Sequence, residues 1–240
     1  MSAMLSSASS ATRDARLIAL GQMHHFFDSS FPSGTFAHSY GFETYASASR
    51  TVDLNEAIEW VRNFMVFSLW HADLENISRI LEIGDFEDLG PKSAIAENDR
   101  AIYAGRSTRD GRLAAKRLAQ SLRVGADTLY PEANLGVSAA LFYEPSTITG
   151  LVARIMHWPA DATRLLYLQS HAMSLTSVLV RHARIGQSGA LAMMSQLTSD
   201  CAALAFERPS SSSGVRSAQC WTIERDQIRH QHLSPRLFQS

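Results

Sequence analysis

The chain has 240 residues, enough to bury a real core, with 45% apolar and 19% charged side chains, an ordinary balance for a globular protein. Its formal charge of −1 gives no overall field for nucleic acid or an anionic membrane. Two cysteines, Cys201 and Cys220, are too few for a disulfide framework or a thiolate zinc site. No apolar run reaches the roughly 18 residues that a membrane-spanning helix needs, so the expected location is the cytoplasm.

In chain order, the opening MSAMLSSASSATRDAR lacks an apolar h-region and reads as a disordered Ser/Ala-rich lead-in over 1–14 rather than a signal peptide. A helical pattern covers 12–27. Residues 28–45, DSSFPSGTFAHSYGFETY, are too apolar for a solvated loop and too irregular for a core helix, and a short helical pattern overlaps them at 37–48. From Asp53 the apolar positions Leu54, Ala57, Ile58, Val61, Phe64, Met65, Leu69, Ala72, Ile77, Ile80 and Leu81 keep helical spacing. Asp53 with Glu56 predicts a capping box and Gly84 a stop, giving a long central helix of ~30 residues. Further helical patterns follow at 94–124, 147–157, 161–184 and 190–206. Loops are marked at 84–93, 130–136 and 208–214.

Strand signals are nearly absent, so the expected fold is all-α: a single-domain helical bundle over 15–224, followed by a tail at 225–240. Charge is uneven. Residues 73–99 carry eight acids and two bases, and residues 100–123 carry seven bases and one acid. Adjacent helices neutralising one another across a solvated face explain this. A docking strip for an acidic protein, with Arg112, Lys116 and Arg117, is the alternative.

Catalytic motifs are weak. AHSYG, 37–41, differs from the G-x-S-x-G nucleophile elbow at Ala37, and no strand precedes it, which argues against a Ser39 hydrolase. His171 and His182 share a helix face but lie ~16 Å apart along the axis, too far to share an ion. Neither H-E-x-x-H nor a phosphate-binding glycine loop occurs, so no stably bound metal or cofactor is expected and no catalytic residue is assigned. Surfaces stand out instead. The tail IERDQIRHQHLSPRLFQS mixes Arg225, Arg229 and Arg236 with Ile228, Leu233, Leu237 and Phe238, which suits protein anchoring. A last helix folded back on the bundle is the competing reading.

The 28–45 stretch resembles the N-terminal signature of urease accessory proteins of the UreF family, D-S-x-F-P-x-G-x-F-x-H-S-x-G-L-E. Asp28, Ser29, Phe31, Pro32, Gly34, Phe36, His38, Ser39, Gly41, Phe42 and Glu43 carry the match. STRDGRLAAKRLAQSL resembles the family's basic helix, GLVARIMHWPADATRLL its G-x-A-A-x-x-L-G-x-P region, and SPRLFQS its ending. The family's L-G-Q-T-D-G-Q turn is altered: Ile185, Gly186 and Gln187 are followed by Gly189, Ala190 and Leu191. The resemblance implies an all-α, non-enzymatic scaffold that dimerises and joins UreD (UreH in some systems) and the GTPase UreG to apo-urease, delivering nickel in a GTP-dependent step. Nickel is then handled by the assembled complex. It further implies that Phe36, His38, Ser39, Tyr40 and Glu43 belong to the face that meets the GTPase. Gln187 and the tail residues Arg229, Arg236, Leu237 and Phe238 would add partner contacts, with Arg236 as anchor. A generic helical interaction module unrelated to nickel is the alternative function.

Overall fold

The computed structural model describes residues 2–48, 52–83, 90, 92–131, 135, 142–207 and 221–239, with side chains from residue 14 onward. Every regular element among them is helical: α1 (Ser2–Phe27), a 3-10 turn (Thr35–Ala37), α2 (Phe42–Ala48), α3 (Leu54–Phe64), a π segment (Met65–Leu74) and α4 (Glu75–Glu82) come first. They are followed by α5 (Ala94–Gly105), α6 (Arg109–Leu129), α7 (Pro145–Ile155), α8 (Ala160–Arg181), α9 (Gln187–Phe206) and α10 (Trp221–His230). The fold is an all-α single domain. The loop expected at 208–214, most of those at 84–93 and 130–136, and Cys220 lie outside the described residues.

Asp53 starts α3 as its spacing predicts, its carboxylate accepting the N–H groups of Asn55 (2.8 Å) and Glu56 (3.1 Å). The path then stays helical to Glu82, but ten residues in its middle are π-helical rather than α-helical. Widening the repeat to i→i+5 shifts the phase of the buried stripe. Asp73, which the charge pattern places on a solvated face, has no exposed surface and lies one turn after buried Leu69.

Three other boundaries differ from the sequence pattern. Helix α1 begins at Ser2, so the segment expected as a disordered lead-in continues the helix; once a turn exists, each added residue costs little, and alanine favours it. The 94–124 pattern is two helices. Gly105 ends α5, and the Thr108 hydroxyl restarts the chain by accepting Gly111 N–H at 3.0 Å. The 37–48 pattern is a 3-10 turn and a seven-residue helix, because Tyr40 and Gly41 take positive φ between them.

Two apolar clusters form the core. One gathers Phe42, Ile58, Val61, Phe64, Met65, Leu168, Leu175, Val178, Met193 and Leu197, where α2 and α3 meet α8 and α9. The other gathers Met23, Phe26, Phe31, Ile80, Leu122, Ile148, Leu151 and Trp158 around α7. Helix α4 joins them, with Ile77 in the first and Ile80 in the second. Helix α8 is packed on several sides, touching α9, α2, α1 and the 3-10 turn.

Phe31 sits against α6 where Gly125 leaves room: a Cβ there would lie 2.5 Å from the ring's Cζ. Gly125→Ala is therefore expected to destabilise the protein by about 1–2 kcal/mol, although alanine is the better helix former by about 1 kcal/mol. A urea midpoint that rises instead would show that Phe31 is free to move.

Candidate protein-docking site

The 28–45 stretch folds as a chain of tight turns. Asp28 accepts Ser30 N–H at 2.8 Å, Phe31 N–H returns to the Asp28 carbonyl at 3.1 Å, and Gly34 turns at φ 80° into the 3-10 turn. Helix α8 supports it from below: the Ser174 hydroxyl donates to the Thr35 carbonyl (3.0 Å) and Arg181 to that of Phe36 (3.2 Å). The stretch is then buried from His38 to Thr44, whereas Pro32 and Gly34 are exposed and Phe36 is half-buried.

Glu43 is the knot of this region. Its side chain has no exposed surface, yet its two carboxylate oxygens accept four hydrogen bonds. They come from His230 Nε2 (2.7 Å), His182 Nε2 (3.1 Å), Leu237 N–H (2.7 Å) and Phe238 N–H (3.1 Å). A carboxylate accepts only, so both imidazoles donate through Nε2. Burial pushes the Glu43 carboxyl up, but the Leu237, His230 and Phe238 donors outweigh it and hold the group below its ordinary range. One side chain thus joins α2 to the end of α8, to α10 and to the C-terminal segment.

Further bonds close the same knot. Gln239 N–H reaches the Ala37 carbonyl at 2.8 Å, Arg181 lies 5.2 Å over the Phe238 ring, and His182 stacks on that ring at 6.1 Å. Thr44 donates to the Asp226 carbonyl (2.8 Å) and Trp60 Nε1 to the Asp226 carboxylate (3.2 Å). Burial, then Arg117 and His230, lower the His38 pKa to about 4, so its ring is neutral at pH 7.

The sequence-predicted residues consequently divide. His38, Ser39, Tyr40, Glu43 and Phe238 are buried and present no side chain to solvent. Phe238 corrects the picture of a free tail: α10 and the last residues are folded back on the bundle. Ser39 has no exposed surface and follows a 3-10 turn, the wrong setting for a nucleophile elbow. Arg112 is half-buried and donates to the Arg106 carbonyl, so it is no free cation of the strip. Lys116 and Arg117 are exposed on α6, with Lys116 5.4 Å from the centre of the Tyr143 ring. Arg229, Arg236 and Leu237 are also exposed, and Arg236 precedes the two residues clamped by Glu43. Gln187 is the exposed first residue of α9 and takes no part in the knot.

A second buried polar group escapes the sequence reading. Arg106 donates to both oxygens of Glu144 (Nε to Oε1, 2.9 Å) and to Asp73 Oδ1 (3.3 Å), while Asp99 accepts the N–H groups of Tyr143 (2.9 Å) and Glu144 (3.1 Å). Burial pushes the Glu144 pKa up to about 7 against the pull of Arg106, and Asp73 and Asp99 push the same way. Nothing in the sequence separates Arg106 from the other six bases of the 100–123 run. Charge counting alone places such residues on the surface. Among the described residues no group of three or more His, Cys, Asp or Glu side chains is placed to hold a metal ion, and no helix is long and apolar enough to cross a membrane.

Comparison with known proteins accords with this architecture. The UreF family model matches residues 52–198. The urease accessory protein UreF of Kocuria rhizophila is 29% identical over 89% of this chain and 93% of its own length. That of Arthrobacter sp. strain FB24 is 28% identical over 89% and 93%, and that of Bacillus sp. strain TB-90 is 27% identical over 94% and 99%. The chain belongs to the UreF family, whose members are urease accessory proteins rather than catalysts.

Proposed function

We propose that this protein is a cytoplasmic scaffold of urease maturation. It joins a UreD-type protein and a UreG-type GTPase to apo-urease, pairs with a second copy of itself, and supports GTP-dependent nickel insertion. Nickel is the cargo of the assembled complex and is not stored in this chain. Family membership supports the accessory role. The observation that carries the docking assignment is the Glu43 clamp on Leu237 and Phe238, next to which Arg236 and Leu237 remain exposed. A preordered arginine and leucine lose less conformational entropy on binding than the same residues on a free tail. Exposed Lys116 and Arg117 on α6 and the half-buried Phe36 add a cationic and an aromatic contact of the kind that anchors interfaces.

Arg236→Ala tests the assignment. The side chain is exposed, so the melting temperature should change little, within about 0.5 kcal/mol of stability. Capture of UreD-type or UreG-type partners by the tagged chain should fall at least tenfold, the scale of a hot-spot arginine. Undiminished capture of both would move the docking site elsewhere.

A further inference from the structure

The π segment, the α5–α6 turn, α8, α10 and Tyr40 surround a cavity of about 80 Å³. Its lining includes Tyr40, Phe64, Asp73, Arg106, Tyr167 and His171. Two buried oxygens on these residues have no hydrogen-bond partner: Asp73 Oδ2 and the Tyr40 hydroxyl. Asp73 has no exposed surface and Tyr40 only 8%. A buried carboxylate oxygen left unpaired is costly, so such an atom at a cavity wall asks for a positive or hydrogen-donating occupant.

The walls favour a cation. Tyr40, Phe64, Tyr167 and His171 line the cavity with Asp73, and these rings also pack on one another, Tyr40 at 5.0 Å from Phe64 and 5.7 Å from His171, Tyr167 at 4.6 Å from His171. Ring faces attract cations. Burial holds His171 below its ordinary value, which leaves a neutral imidazole there. Arg106, which also lines the cavity, bonds both Glu144 oxygens and Asp73 Oδ1 but leaves Asp73 Oδ2 without a partner. A transition metal is disfavoured, because such ions take several nitrogen, sulfur or carboxylate ligands and, among the described residues, no group of three or more His, Cys, Asp or Glu side chains is placed to hold one. The volume admits an ion with one or two waters but no long organic amine.

We propose that this cavity binds one small monovalent cation of the ammonium–potassium size class, held by Asp73 Oδ2 and the Tyr40 hydroxyl against the aromatic wall. The ion would tie the π segment to the base of the signature stretch, because Asp73 lies in one and Tyr40 in the other. This inference is independent of the docking role.

Thermal unfolding of the full chain tests it, at constant ionic strength with ammonium, potassium, lithium or tetramethylammonium chloride. Ammonium should raise the midpoint by roughly 3–5 °C at tenfold saturation, while lithium and tetramethylammonium leave it unchanged. A potassium response equal to that of ammonium assigns selection to size. A response to ammonium alone assigns it to the ion's N–H donors. Asp73→Asn should abolish the response. Tyr40→Phe, which keeps the ring and its packing, should lower the apparent affinity several-fold in a protein that still folds. Equal midpoints in all four salts, or an undiminished response in folded Tyr40→Phe, would overturn the proposal.

Discussion

Glu43→Ala is expected to unlatch the C-terminal segment and lower the unfolding free energy by about 3–5 kcal/mol, the range seen when one partner of a buried charged network is removed. Four donors lose their acceptor at once, and two of them are the main-chain N–H groups of Leu237 and Phe238. Phe238, now 3% exposed, then has no reason to stay under Arg181 and His182. Urea unfolding measures the first effect, and proteolysis after the exposed Arg236 measures the second. Glu43→Gln keeps one acceptor and should fall between the two. The pH dependence has a definite sign. The folded carboxyl titrates below its ordinary 4.5, so its contribution is intact above that value and is lost as pH falls through the folded pKa. The wild-type acid limb below pH 4.5 should be steeper than that of Glu43→Gln. Wild-type resistance to proteolysis in Glu43→Ala would mean that the tail is held by other contacts.

Gly41→Ala should be nearly as damaging for a different reason. Gly41 sits at φ 88°, where an L side chain costs about 1–2 kcal/mol. A Cβ there would lie 2.6 Å from Gln227 N and 2.9 Å from the Asp226 carbonyl carbon, both main-chain atoms of α10. Backbone cannot yield like the end of a long side chain, so α10 must shift, adding about 1–3 kcal/mol. That shift would also stretch the Thr44 and Trp60 bonds to Asp226, now 2.8 and 3.2 Å. Together these, about 2–5 kcal/mol, predict a melting temperature lower by roughly 4–20 °C, at about 2–4 °C per kcal/mol for a chain of this size. An unchanged melting temperature would show that α10 does not press on Gly41.

These two positions also show what could be read from the chain alone. Helix class, the Asp53 cap and most of the apolar stripes followed from spacing, because helical periodicity reports directly on which face is buried. The 28–45 motif was legible as a specific stretch, but its orientation was not. His38, Ser39 and Glu43 look like surface chemistry in one dimension, and only the arrival of α10 and the tail from nearly 190 residues away makes them interior. No local pattern announces such a long-range clamp. Asp73 was misplaced for another reason: counting charges over 73–99 assigns its carboxylate to a solvated face, yet it follows buried Leu69 by one helical turn and is itself buried. Arg236 and Leu237 are exposed while the next residue, Phe238, is buried, a difference the mixed arginine–apolar end does not announce.

The most direct test of the scaffold reading is urease activity after co-expressing apo-urease with UreD-type and UreG-type proteins in nickel-containing medium, with and without this chain. Activity should depend on the chain and should drop when Arg236→Ala replaces it, although that variant is folded. Equal activity with the chain omitted would contradict the account.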